Sequence, residues 1–129
     1  MPQADSINAL IIDDQLTMRT LVRAGLQQLG FRNILDAGDG EEGLRTVLAE
    51  KPQLIISDFH MPRLDGLNLL RVIRSHPPTS KIAFIMLTSR ADRELVQRAV
   101  ELKVNNFLAK PFTVASLKEK IEAVLGPLT

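Results

Sequence analysis

Short runs of Ile, Val and Leu, each followed by a longer amphipathic stretch, constrain this chain more than any other feature. The runs are Ile7–Asp13, Asn33–Ala37, Gln53–Asp58, Ile82–Thr88 and Val104–Ala109. They are continuous rather than alternating, as in strands covered on both faces. The stretches between them carry helical spacing. Leu21, Val22, Gly25, Leu26 and Leu29 form a first stripe, with Gly30 as its stop. Gly25 costs that helix about 1 kcal/mol against Ala, and nothing in the sequence accounts for it. Leu44, Val47 and Leu48 form a second stripe that ends before Pro52. Leu67, Leu70 and Ile73 form a third, and Leu95, Ala99 and Leu102 a fourth. Val114, Leu117, Ile121 and Val124 form the last, with Thr113 as its N-cap.

Repeated βα units give an α/β fold, a parallel sheet with helices on both faces. The only long polar connection is Ser75–Lys81, which contains Pro77 and Pro78. A chain of 129 residues fits one domain, expected to span 1–129. No boundary, repeat or low-complexity segment interrupts it, and nothing after Gly126 is long enough for an output domain.

Composition narrows the function. The absence of Cys rules out disulfides and thiolate metal sites. Sixteen basic and 15 acidic residues, net +1, give no reason to expect nucleic-acid or membrane binding. No apolar run approaches the ~20 residues of a membrane span. Met1 to Ser6 lack the pattern of an export signal, so a cytoplasmic location is expected.

In an open doubly wound sheet, ligands bind beyond the carboxyl ends of the strands. The residues that end the runs are therefore the candidates: Asp13-Asp14, Asp58, Thr88-Ser89 and Lys110-Pro111. Carboxylates gathered at one edge repel and need a counter-charge. An oxygen-rich site of this kind suits Mg²⁺, which takes one or two carboxylates and keeps several waters. One carboxylate can then act as a nucleophile toward phosphorus, giving an acyl phosphate. Lys110 and the Thr88 hydroxyl are the donors available to the transferred group. There is no Walker-type phosphate loop, so ATP is a poor donor candidate, and there is no Gly-x-Ser-x-Gly elbow.

These segments resemble the receiver domains of two-component response regulators. The matching stretches are Ile11-Ile12-Asp13-Asp14, Ser57-Asp58-Phe59-His60-Met61-Pro62-Arg63-Leu64-Asp65-Gly66, Met86-Leu87-Thr88-Ser89 and Lys110-Pro111-Phe112. Leu16-Thr17-Met18-Arg19 and the bare single-domain length are most similar to the chemotaxis-type, CheY-like subgroup. The resemblance implies a flavodoxin-like (βα)5 fold of strand order 2-1-3-4-5. It implies that Asp58 is the phosphorylated aspartate, that Asp14 binds Mg²⁺ directly and that Asp13 reaches it through water. The His60 backbone carbonyl would be a further metal ligand. Thr88 would move toward the phosphoryl group, Lys110 would pair with it, and Phe107 would occupy an aromatic switch position. The implied donor is a phosphorylated histidine kinase. The implied output is a flagellar motor switch or adaptor protein bound by a monomer, with a phosphatase as a possible further partner. The Lys110–Pro111 bond is expected to be cis.

Several readings stand side by side. Phe107 replaces the Tyr of close relatives and is equally well explained as core. His60 is poorly suited to bind Mg²⁺ through its ring and reads as a solvent-facing neighbour of the site. Arg90, two residues after Thr88, is expected to slow loss of the phosphoryl group. The chain lacks the Gly often found before the last strand, and Asn105 or Asn106 is expected to adopt the left-handed backbone in its place. Asp65-Gly66 reads as turn chemistry and a helix start. Alternatives to a switch are a phosphate sink or relay module, a fragment of a larger regulator, and a receiver that only makes protein contacts. A Mg²⁺-dependent phosphatase is disfavoured, because His60 stands where such an enzyme usually carries its second acid.

Overall fold

In the computed structural model, which describes residues 3–129, every apolar run forms a strand and every stripe a helix. Met1 and Pro2, the start of the stretch read for an export signal, lie outside the described residues. The order is β1 (Asn8–Ile12), α1 (Leu16–Gln28), β2 (Asn33–Ala37), α2 (Gly40–Glu50), β3 (Leu54–Asp58), α3 (Gly66–Ser75), β4 (Ala83–Thr88), α4 (Arg93–Glu101), β5 (Asn106–Ala109) and α5 (Val114–Leu125). All strand pairs are parallel, in the order β2-β1-β3-β4-β5. None of the described helices is long and apolar enough to cross a membrane.

The continuous runs divide residue by residue between two cores. Ala9, Ile11, Ile56, Ile85 and Leu87 pack with Val22, Leu26, Leu117 and Ile121 of α1 and α5. Leu10, Ile12, Ile55, Phe84 and Met86 pack with Val47, Leu70, Ile73 and Ala99 of α2, α3 and α4. The period of two along each strand sends neighbours to opposite faces. Both faces are apolar because both are covered.

Gly25 has its explanation here. A Cβ at that position would lie 2.8 Å from Leu117 Cδ2, so the bare backbone lets α1 and α5 approach closely. Leu21 and Leu48, placed on buried stripes by their spacing, are exposed. They sit at the stripe margins, where Val22 and Val47 take the buried positions. Gly30 ends α1 at φ 97°, with Phe31 N–H returning to Leu26 O.

Neither Asn105 nor Asn106 takes the left-handed backbone. Lys103 does, at φ 66°, because the turn that closes α4 falls there. Its N–H reaches Val100 O, and Val104 N–H reaches Ala99 O. Asn105 instead accepts from Phe84 N–H and from Arg74 through its side chain.

Candidate functional site

β1 and β3 end side by side at the centre of the sheet, and the acids stand at or just past their carboxyl ends. Asp13 follows β1, is fully buried, and is followed by the exposed Asp14. Asp58 is the final residue of β3. One carboxylate oxygen from each of Asp13, Asp14 and Asp58 lies within 4.8 Å of the others. Lys110 follows β5, and its Nζ stands 3.1 Å from Asp58 Oδ1. The Lys110 backbone N–H donates to Thr88 O at 2.8 Å, which ties the end of β5 to the end of β4. The Lys110–Pro111 bond is cis.

The cluster is electrostatically unsatisfied as it stands. Asp13 Oδ1 accepts the Gln15 N–H at 2.9 Å, but its buried Oδ2 has no hydrogen-bond partner among the described residues. A buried carboxylate oxygen without a donor is costly. Burial pushes the Asp13 carboxyl above the ordinary carboxylate value, the Gln15 N–H pulls it back, and the Asp58 charge adds to the rise. A small hard cation between these oxygens removes both the missing partner and the repulsion. The donor set among the described residues, three carboxylates and no nitrogen ligand, therefore fits Mg²⁺.

Asp58 is asymmetric. Oδ1 accepts the Phe59 N–H at 2.8 Å and faces Lys110. Oδ2 makes no hydrogen bond among the described residues. The loop that follows is held down by Gly66, whose N–H donates to Phe59 O at 2.8 Å. A Cβ on Gly66 would collide with the Asp58 backbone carbonyl. Asp65 caps α3 by accepting the Asn68 N–H, as its turn chemistry predicts.

Thr88 is the last residue of β4, is buried, and has a hydroxyl with no hydrogen bond among the described residues. Phe107 is half-buried beside the α4-side core. It pairs with Met86 in register, so it shares the α4 side of the sheet with Thr88, two residues further on.

The His60 ring faces solvent, yet it is not idle. Its Nε2 lies 2.7 Å from Asp92 Oδ1, outside the acid cluster. Asp92 is a residue that the sequence reading missed. The signal was Ser89-x-x-Asp92, the spacing of a capping box, and both halves of that box form. Burial would raise the Asp92 carboxyl, but the His60 ring and the Ser89 donors hold it, on balance, below the usual value. Arg19 is a second omission. Its Nη1 donates to Asp13 O at 2.7 Å, and its Nε stands 3.9 Å from Asp36.

A model described as the response regulator receiver domain matches residues 9–122. The probable chemotaxis protein CheY of Rhizobium etli is 51% identical over 128 residues, covering 99% of each chain. The solved structure of the chemotaxis response regulator CheY4 of Vibrio cholerae superposes with a TM-score of 0.84 at 28% identity, covering 92% of this chain and 98% of that one. The receiver domain of a sensor histidine kinase from Pseudomonas aeruginosa, solved with a magnesium ion coordinated in its active site cleft, also has a TM-score of 0.84 at 28% identity. It covers 93% and 98% of the two chains.

Proposed function

The chain belongs to the response regulator receiver domain family, in its chemotaxis CheY-like branch, and on that premise we propose that it is a single-domain switch phosphorylated on Asp58. Receiver domains are signalling domains rather than classical enzymes, and CheY-like ones signal through histidine kinases and output partners. The observation that carries the reading is the meeting of Asp13, Asp14 and Asp58 around a buried Asp13 oxygen that has no partner among the described residues, with Lys110 facing Asp58.

Asp13, Asp14, Asp58 and the His60 backbone carbonyl would hold Mg²⁺. When bound, it neutralises the acid cluster and stabilises charge on phosphoryl oxygens. Asp58 Oδ2, free of hydrogen bonds, attacks the phosphorus of a kinase phosphohistidine. The new O–P bond forms as the P–N bond breaks, and the imidazole leaves with its electron pair. The Lys110 ammonium and the Thr88 hydroxyl donate to the phosphoryl oxygens. The family relative with magnesium in its cleft supports this metal choice.

The phosphoryl group adds close to two negative charges. It shifts a conformational balance only by binding one state better, and a near-complete shift takes about 5.5 kcal/mol. Thr88 drawn toward the phosphoryl group vacates space on the α4 side of the sheet, where Phe107 lies. The α4–β5–α5 face, with Leu95, Arg98, Lys103 and Phe107, then changes shape for a flagellar motor switch or adaptor protein. A cytoplasmic monomer spanning 1–129 suits this role.

Incubation with acetyl phosphate and Mg²⁺, followed by intact-mass measurement, tests the reading. The native chain gains one phosphoryl mass and Asp58→Ala gains none. Equal gain in both chains would remove Asp58 from its role.

A further inference from the structure

The loops that leave β3 and β4 are tied together by a contact outside the acid cluster. His60, two residues after Asp58, places Nε2 2.7 Å from Asp92 Oδ1. Asp92 is 2% exposed and closes the short turn Arg90–Asp92 that follows β4. Its second oxygen, Oδ2, accepts the Ser89 N–H at 2.8 Å and the Ser89 hydroxyl at 3.1 Å. One carboxylate thus grips the backbone immediately after Thr88 and the ring two residues after Asp58.

Capping alone does not account for this arrangement. The capping box uses only Oδ2, and Ser89 satisfies it. Oδ1 points the other way, to a ring whose side chain is 67% exposed. Fixing an exposed side chain costs rotamer entropy, and a short bond to a buried carboxylate offsets it. The Thr88 hydroxyl has no hydrogen bond of its own among the described residues, so its position depends on the backbone that carries it. That backbone is held from one side by Lys110 N–H on Thr88 O, and from the other by Asp92 on Ser89.

We propose that Asp92 is a positioning residue for phosphoryl transfer: through Ser89 and His60 it ties the Thr88 loop to the loop leaving Asp58, and so keeps the backbone that carries the Thr88 hydroxyl ordered for its movement to the phosphoryl group. The inference rests on the reading of Asp58 and Thr88 given above. Asp92 touches no reacting atom. Without the tether, the ordering of the β4–α4 loop falls on the transfer step itself.

The test follows phosphorylation of the full chain by acetyl phosphate and Mg²⁺, read by intact mass against time. The chains are native, Asp58→Ala, His60→Ala, Asp92→Asn, the His60→Ala/Asp92→Asn double, Thr88→Ala and Thr88→Ala/His60→Ala. His60→Ala removes an exposed ring and keeps the backbone carbonyl, so it reports even if the buried Asp92→Asn change impairs folding. His60→Ala and Asp92→Asn each slow the reaction by about fivefold, the worth of one hydrogen bond. The double is no slower than the slower single, because both remove the same contact. In the Thr88→Ala background, His60→Ala has no further effect, whereas a general loosening of the fold would slow both backgrounds alike. Mg²⁺ affinity stays at the native value.

A His60→Ala rate within about twofold of native, or equal slowing with and without Thr88, overturns the proposal. If those results came with a silent Asp58→Ala and a slow Thr88→Ala, the assignment of the site would survive and only the tether would fall. Phosphorylation of Asp58→Ala, or a native rate for Thr88→Ala, would overturn both.

Discussion

The Lys110 ammonium stands 3.1 Å from Asp58 Oδ1, on an oxygen that already accepts the Phe59 N–H. The two donors orient one carboxylate oxygen and leave Oδ2 without a hydrogen bond among the described residues, the oxygen proposed to attack. Lys110→Met is expected to slow phosphorylation by acetyl phosphate by about 10²-fold, the scale of losing one preorganised donor to developing negative charge. Single-turnover rates at saturating Mg²⁺ check it. A native rate would mean that Lys110 serves the resting carboxylate alone.

Asp13 carries the cost of the site in the absence of metal. Its carboxyl is raised, first by burial and then by Asp58, with the Gln15 N–H opposing. Between the unfolded value of 3.8 and the raised folded value, the native state holds more protons than the unfolded one. Stability without metal is therefore fully present below 3.8 and falls as pH rises through the folded value. Asp13→Asn flattens that loss and stabilises the metal-free protein at neutral pH by about 0.5–2 kcal/mol. It also weakens the stabilisation that Mg²⁺ confers. Thermal melts from pH 3 to 8, with and without Mg²⁺, give both results (the range is about that of the titration window). Lower stability of the variant in metal-free buffer at pH 7 would contradict this account.

Arg19 supports the acid cluster from behind. Its Nη1 donates to the Asp13 carbonyl at 2.7 Å and its Nε stands 3.9 Å from Asp36, fixing the loop between β1 and α1. Arg19→Ala is expected to weaken Mg²⁺ binding by about tenfold, the usual effect of losing an outer partner of a metal site. Titration calorimetry with Mg²⁺ measures it. Unchanged affinity would show that β1 alone fixes the loop.

Gly66 is a packing requirement of the site. Any Cβ there meets the Asp58 carbonyl, which is backbone and has no flexible end to move. Gly66→Ala should destabilise by about 3 kcal/mol, the upper end of overpacking penalties. Gly25→Ala should cost less, because its neighbour at 2.8 Å is a leucine methyl and the helix gains propensity. Urea melts of the two variants rank them, and a reversed order would mean that the β3–α3 loop yields more readily than the α1–α5 contact.

The strands were legible because both sheet faces are buried. Runs such as Leu54–Asp58 then carry no polar side chain except the small Ser57 before the acid that ends them. Asp13, Asp14 and Asp58 could be placed together because a parallel sheet sends every strand's carboxyl end to one edge. Periodicity could not place Leu21 and Leu48, since a stripe has margins and only packing decides which residue crosses them. Lys103 was missed because the left-handed residue is set by where α4 stops, not by which residue tolerates that backbone best. The His60–Asp92 contact joins residues 32 apart on two loops, a distance no local pattern spans. Its only trace in the sequence was the Ser89–Asp92 spacing.

The most direct test of the central claim locates the phosphoryl group on the chain. An acyl phosphate is reduced by borohydride to an alcohol, which leaves homoserine where the aspartate stood. After acetyl phosphate, Mg²⁺ and borohydride, peptide mass spectrometry is expected to find homoserine at position 58 and nowhere else, and to find none when Mg²⁺ is chelated beforehand. A mark on Asp13 or Asp14, or an undiminished mark at position 58 without the metal, would contradict the account.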